Sequence, residues 1–250
     1  MLYEQRLHMT ATSSLAPLVE DWQRALAVVA HPDDLEYGTA SAIARWTSHG
    51  KQVQYLLVTR GEAGIDAMDP AETGVLREAE ERQSAAVVGV DTVEFLGYPD
   101  GVVEYGLPLR RDIARVIRRS QPDILVTSNY HPTWPGGSFN MADHRWVGLA
   151  VLDAARDAGN RWIFPELLAE GMAPWQGVRM VCVDASPYAT HAVDVTAFIE
   201  QGVASLQAHR IYLQNLGTDF DPRTFLHEQA AEAGKRCGYQ YAVSFEVINI

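Results

Sequence analysis

Ala25-Leu26-Ala27-Val28-Val29-Ala30-His31-Pro32-Asp33-Asp34-Leu35-Glu36-Tyr37-Gly38 is the stretch whose reading decides the fold. Six apolar residues with no polar alternation read as a strand buried on both faces, and a polar turn follows at once. Tyr37 to His49 reads as a helix stopped by Gly50. The unit then recurs. Val53 to Thr59 is a strand, Arg60 to Gly74 a Gly-rich loop, Val75 to Val88 a helix, Thr92 to Leu96 a strand and Leu109 to Arg119 a helix. Ile124 to Thr127 is a further strand, followed by a long loop from Ser128 to Ala142 and a helix from about Asp143 to Ala158. Such repetition predicts an α/β, Rossmann-like, mostly parallel sheet flanked by helices.

Outward from this core the pattern weakens. Residues 1–22 are mixed and polar and read as a loose N-terminal arm. Beyond residue 160, Pro165, Pro174 and Gly177 punctuate the chain before a strand at Val178 to Val183, a helix near Thr196 to Leu213 and a closing strand near Tyr241 to Val247. Residues 23–160 are therefore expected to form the core. Residues 161–250 are expected to be a smaller C-terminal extension completing the same domain and its substrate pocket.

Composition narrows the function. With 20 basic and 32 acidic side chains among 250 residues, the net charge of −12 disfavours nucleic acid and anionic lipid as partners. Two cysteines cannot build a disulfide framework or a Cys-rich zinc knuckle. No secretory signal and no apolar run of membrane-spanning length is seen, so the expectation is a cytoplasmic protein, as a monomer or a homo-oligomer. No dinucleotide or phosphate-binding glycine motif follows the first strand, and Cys182 reads as a core residue.

In parallel sheets ligands bind at the carboxyl ends of strands, so the loops after Ala30, Thr59, Leu96 and Thr127 are expected on one rim. His31 and Asp34, at i and i+3 of a tight turn, suit a divalent ion such as zinc, and Asp33 beside them can act as a base. The same turn also reads as an Asx-rich cap for the helix that follows. His144, at the entry of the helix after the long loop, would supply a third ligand and leave a coordination position open, as in catalytic zinc sites. Asp143 reads equally as an N-cap.

The stretch from His31 to Gly38 resembles the LmbE-like (PIG-L) family of zinc-dependent N-deacetylases. Leu57-Val58-Thr59-Arg60-Gly61-Glu62-Ala63-Gly64, Leu76-Arg77-Glu78-Ala79-Glu80, Leu96-Gly97-Tyr98-Pro99-Asp100-Gly101 and Asp143-His144-Arg145 follow in the family's order. The resemblance is close over residues 24 to 160. It implies that His31, Asp34 and His144 bind zinc, that Asp33 is the general base, and that Arg77 and Asp100 hold substrate. Read from the residues alone, Arg77 could be an exposed helix residue paired with Glu81, and Asp100 a turn residue.

Where the family commonly has a second histidine, oriented by the aspartate and stabilising the oxyanion, this chain has Met141, ahead of Asp143. Phe139 stands where some members carry a tyrosine. His131 in the same loop is the nearest substitute for the catalytic histidine. His191 is a second, placed at the substrate. Trp134 flanks the same loop and could stack on a sugar, or simply pack. The expectation is a zinc-dependent hydrolase, with another divalent metal as an alternative, that deacetylates an N-acetylglucosamine-type conjugate. The alternatives are an amidase for a larger conjugate and a non-catalytic metal- or sugar-binding module.

Overall fold

The apolar run at 25–30 becomes a central strand because both of its faces are covered. The computed structural model describes residues 14–217 and 220–250. Its first strands and helices are β1 (Ala16–Pro17), β2 (Arg24–Val29), α1 (Ala40–Ser48), β3 (Gln52–Leu57), α2 (Pro70–Val87), β4 (Thr92–Phe95), α3 (Leu107–Ser120), β5 (Ile124–Ser128) and α4 (Ala142–Gly159). They are followed by α5 (Glu166–Ala169), β6 (Met180–Asp184), β7 (His191–Asp194), α6 (Ile199–Gln207), α7 (Arg210–Asn215), α8 (Pro222–Lys235) and β8 (Ala242–Asn249). Successive β2 side chains point to opposite sides. Ala25, Ala27 and Val29 enter a core shared with Ile43 and Trp46 of α1 and Ala85 of α2. Leu26 and Val28 enter another, shared with Ile113 of α3 and Val147 and Val151 of α4.

One eight-stranded sheet results, in the order β1-β7-β8-β6-β5-β2-β3-β4. Strand β2 pairs in parallel with both β3 and β5, and β5 with β6. Only β8 runs antiparallel, between β6 and β7. The order runs outward in both directions from β2, so the crevice between the carboxyl ends of β2 and β5 is the topological switch point. Among the described residues no helix is long and apolar enough to cross a membrane.

The structure departs from the sequence expectation at several boundaries. Helix α2 begins at Pro70 rather than Val75, because Asp69 caps it by accepting the Ala71 N–H at 2.9 Å and proline sits in its first turn. The helix expected from Tyr37 begins at Ala40, after tight turns. The helix expected over 196–213 is two, α6 and α7, with His209 as the N-cap of the second. Helix α8 was not expected; Asp221 caps it through the Thr224 N–H at 3.0 Å. The arm at 1–22 is not loose where it is described. Ala16 and Pro17 pair with β7, and Leu15, Leu18 and Trp22 are buried; residues 1–13 of that arm lie outside the described residues. The 161–250 segment supplies β6, β7 and β8 to the same sheet.

Two close approaches fix the switch point. Helix α4 lies so near the end of β5 that a Cβ at Gly148 would stand 2.7 Å from Tyr130 Cβ and 3.0 Å from the Ser128 carbonyl oxygen. On exposed helix, Gly148→Ala would gain about 1 kcal/mol from propensity. Here it is expected to lose about 1–3 kcal/mol through overpacking, read as a lower urea midpoint with an unchanged slope.

At the end of β6, Asp184 is buried against Gly38, where any Cβ would overlap its carboxylate. Burial pushes the Asp184 carboxyl from the ordinary 3.8 up to about 6, with the Ala185 N–H pulling the other way. The folded state therefore keeps a proton that the unfolded chain releases, and stability falls as pH rises from about 4 to about 6. Asp184→Asn removes that penalty. In metal-stripped protein the variant's advantage over wild type should grow by up to about 3 kcal/mol between pH 4 and pH 7, measured by urea unfolding at both pH values.

Candidate active site

The turn after β2 folds back on the strand's end through one carboxylate. Asp34 Oδ2 accepts the Ala30 and His31 N–H groups at 3.0 and 2.9 Å, which leaves Oδ1 turned toward His144 Nε2 at 3.0 Å. His31 is oriented from behind: its Nε2 lies 3.0 Å from Asp100 Oδ1 and 3.3 Å from Asp143 Oδ2. Its Nδ1 therefore points inward, 3.2 Å from His144 Nε2 and 3.7 Å from Asp34 Oδ1. His144 is held in the same way, with Nδ1 3.0 Å from Asn140 Oδ1. The Asn140 amide donates to the Asn129 and His131 carbonyls at 2.7 and 3.0 Å, so its orientation is fixed.

Three ligand atoms thus converge, all within 4.8 Å of one another. Donors around a tetrahedral ion with bonds of 2.0–2.1 Å stand about 3.3 Å apart. The observed separations of 3.0, 3.2 and 3.7 Å bracket that value. Each imidazole has its outer nitrogen held by a side-chain oxygen, the arrangement that aims and strengthens a metal-ligating histidine. The charges agree. Burial opposes charging of His31, yet hydrogen bonds to Asp100, Asp143 and Asp34 outweigh it and hold the imidazole well above its ordinary range. Asp34, which burial would raise, is held well below the usual carboxylate range by His144 and His31. A site that attracts protons this strongly suits a cation, and the residues present fit a divalent metal.

Asp33 sits beside the triad with φ of 90°, a left-handed conformation that costs a non-glycine residue about 1–3 kcal/mol. Helix α2 holds it from both ends. Glu81 Oε2 accepts the Asp33 N–H at 3.2 Å, and Arg77 donates to Asp33 Oδ2 at 2.8 Å. Arg77 also donates to the Pro32 and Gly61 carbonyls at 2.5 and 3.2 Å, and the Tyr212 ring covers its guanidinium at 4.1 Å. Arg77 is 3% exposed, so it is no solvated surface residue. Burial raises the Asp33 carboxyl, with the Arg77 charge opposing.

The remaining expected residues are placed unevenly. Asp100 borders the cavity, but its carboxylate is engaged with His31 and, at 2.8 Å, with the Ala63 N–H. Asp143 is not the N-cap of α4; Met141 holds that position without a side-chain bond. Asp143 instead accepts the Gly101 and Val103 N–H groups at 2.7 and 3.1 Å, pinning the loop after β4 against His31. His131 does not line the cavity. Its Nε2 lies 2.7 Å from Glu246 Oε2 of β8, with its ring between Tyr130 and Tyr188. His191 lies on β7 with Nδ1 2.8 Å from the Thr190 hydroxyl, and it too is outside the lining. Trp134 lines the cavity with its ring 5.4 Å from that of His144. Met141 and Phe139 are exposed, and Met141 is part of the cavity rim.

Asn140 and Tyr212 were not among the expected site residues, and Glu81 was read only as a partner of Arg77 on an exposed helix face. Asn140 at i−4 from His144 and Glu81 at i+4 from Arg77 carry a helix-spacing signal. Tyr212 carries none, because it arrives from α7. The cavity measures about 960 Å³. It opens from the triad, Asp33 and Arg77, past Tyr37 and Asp184, to walls built by Ile199, Phe225, Leu226 and Val243.

The family model PIG-L, described as GlcNAc-PI de-N-acetylase, matches residues 26–155. Diacetylchitobiose deacetylase of Thermococcus kodakarensis is 26% identical over 225 residues, covering 89% of this chain and 82% of that protein. The 1D-myo-inositol 2-acetamido-2-deoxy-alpha-D-glucopyranoside deacetylase of Kineococcus radiotolerans is 29% identical over 199 residues, covering 63% of this chain and 51% of that protein. In fold, the chain is similar to the N,N'-diacetylchitobiose deacetylase of Pyrococcus horikoshii, with a TM-score of 0.83 at 21% identity over 99% of this chain and 91% of that one. These relatives are deacetylases named for acetylated amino-sugar substrates. With the family match spanning more than half of its length and including His31, Asp33, Asp34 and His144, the chain belongs to the PIG-L family, whose enzymes are metal-dependent.

Proposed function

We propose that this chain is a zinc-dependent N-deacetylase acting on an N-acetylglucosamine-type sugar conjugate. The observation that carries the reading is the convergence of His31 Nδ1, Asp34 Oδ1 and His144 Nε2 beside Asp33, at one end of the cavity. Two imidazoles and one carboxylate are a donor set that suits zinc. When bound, such an ion supplies Lewis acidity that acidifies water and polarises an amide carbonyl.

The chain's own residues do the rest. The Asp33 carboxylate takes a proton from the attacking water and returns it to the nitrogen of the leaving amine. Water and amide are thereby converted to acetic acid and a free amine, and the acid then releases its proton to solvent. Arg77 fixes the orientation of that carboxylate, and Glu81 fixes its backbone. Asp100 and Asp143 hold the His31 ring, and they serve the reaction by positioning it. Arg77 and Asp100 also border the cavity. The size of the cavity, near the upper end of the usual range for small-molecule sites, favours a conjugate over a lone monosaccharide and keeps an amidase for larger conjugates as the second reading. Two free cysteines fit the reducing cytoplasm.

The test is acetate release from N-acetylglucosamine conjugates by zinc-loaded protein. Asp33→Asn should retain metal and fold yet lose about 10²–10⁴ in kcat. Wild-type turnover in that variant, at normal zinc content, would return Asp33 to a structural role. His131→Ala and His191→Ala should each keep kcat within about threefold, because neither ring reaches the cavity. A loss of about 10²–10³ in either would make that histidine the oxyanion donor.

A further inference from the structure

A second cluster of ligating groups lies in the interior, on the far side of the turn that carries Asp33. Glu36 comes from that turn, Glu81 from α2, and His209 from the junction of α6 and α7; none is more than 1% exposed. Their ligand atoms converge within 4.8 Å. His209 Nε2 stands 3.6 Å from Glu81 Oε2 and 3.8 Å from Glu36 Oε2, beyond hydrogen-bond distance. Among the described residues both His209 ring nitrogens, Glu36 Oε2, Glu81 Oε1 and the Tyr55 hydroxyl lack a hydrogen-bond partner. The other Glu36 oxygen accepts the Ser84 hydroxyl at 2.7 Å, and Ser84 in turn meets Ser205 at 2.7 Å.

We infer that Glu36, Glu81 and His209 hold a second divalent cation, sealed in the interior. Buried polar atoms are almost always paired, and buried charges are compensated. Neither carboxylate stands close enough to His209 Nε2 for a direct hydrogen bond. A cation between the three satisfies the facing atoms together and offsets two carboxylates at once. Separations of 3.6 and 3.8 Å are those of atoms that share a partner, as in the first triad, rather than atoms bonded to each other. Two carboxylates and an imidazole suit zinc or manganese. Tyr55, buried on β3 and under the charge of both glutamates, offers a further oxygen.

With almost no solvent exposure the site is structural and is filled as the chain folds. It ties α7 to α2 and, through the Asp33 N–H on Glu81 Oε2, braces the left-handed turn of the first site. It takes no direct part in the reaction proposed above.

The experiment counts metal by elemental analysis after refolding the full chain with excess zinc or manganese and exchanging it into metal-free buffer. Wild type should hold two ions. The double variant His31→Ala/His144→Ala should keep one, and adding His209→Gln should remove it. If the added change prevents folding, Glu36→Gln on the same double variant replaces it with the same expectation. No metal in the double variant, or an ion that survives both added changes, would overturn the second site and leave a shared proton or a water to close the cluster.

Discussion

Because β2 pairs in parallel on both sides, the chain leaving it must turn into the crevice where the strand order reverses. That single constraint organises the site. Asp34 makes the turn by accepting two backbone N–H groups from the strand's own end with one carboxylate oxygen, which leaves the other facing His144. The neighbouring strand β5 delivers its long loop and α4 to the same crevice, and with them His144. The close contact at Gly148 sets how near that helix can stand.

The site is built from groups that would be unstable apart. Asp34, Asp100 and Asp143 surround two buried imidazoles, and each histidine is clamped at its outer nitrogen. Bringing so many acids into a low-dielectric crevice is tolerable only where cations or protons are shared among them. Function follows from the same arithmetic, since a centre that holds two imidazole nitrogens and a carboxylate oxygen at metal spacing is also one that must be charged to be stable.

Helix α2 illustrates how one element serves both ends. Arg77 and Glu81, one turn apart, do not pair with each other on a solvated face. They grip the Asp33 carboxylate and the Asp33 N–H, and so hold a residue in a backbone conformation it would otherwise avoid. On the far side of the sheet's rim, α6, α7 and α8 with β8 wall the cavity and bring in Tyr212, Leu226 and Val243. The C-terminal third is therefore part of the site rather than an appendage.

The central strands, their parallel direction and the three residues that converge, His31, Asp34 and His144, were legible in the sequence, because a six-residue apolar run and a His-Pro-Asp-Asp turn are local signals. Boundaries set by capping were misjudged where a glycine masked them: Gly74 read as loop although Asp69 and Pro70 had already started α2. Helix α8, the β7 strand and the pairing of Ala16 and Pro17 carry weak local patterns and exist through their packing. Which atoms face which was decided only in three dimensions. His131, close to the site in the chain, turns to Glu246 because antiparallel β8 runs beside β6, whereas Tyr212 and His209, more than a hundred residues beyond Arg77 and Glu81, lie against them. Sequence spacing encodes contacts within one turn or strand; contacts between elements depend on how sheet order and helix packing share out the buried volume, and no local pattern carries that information.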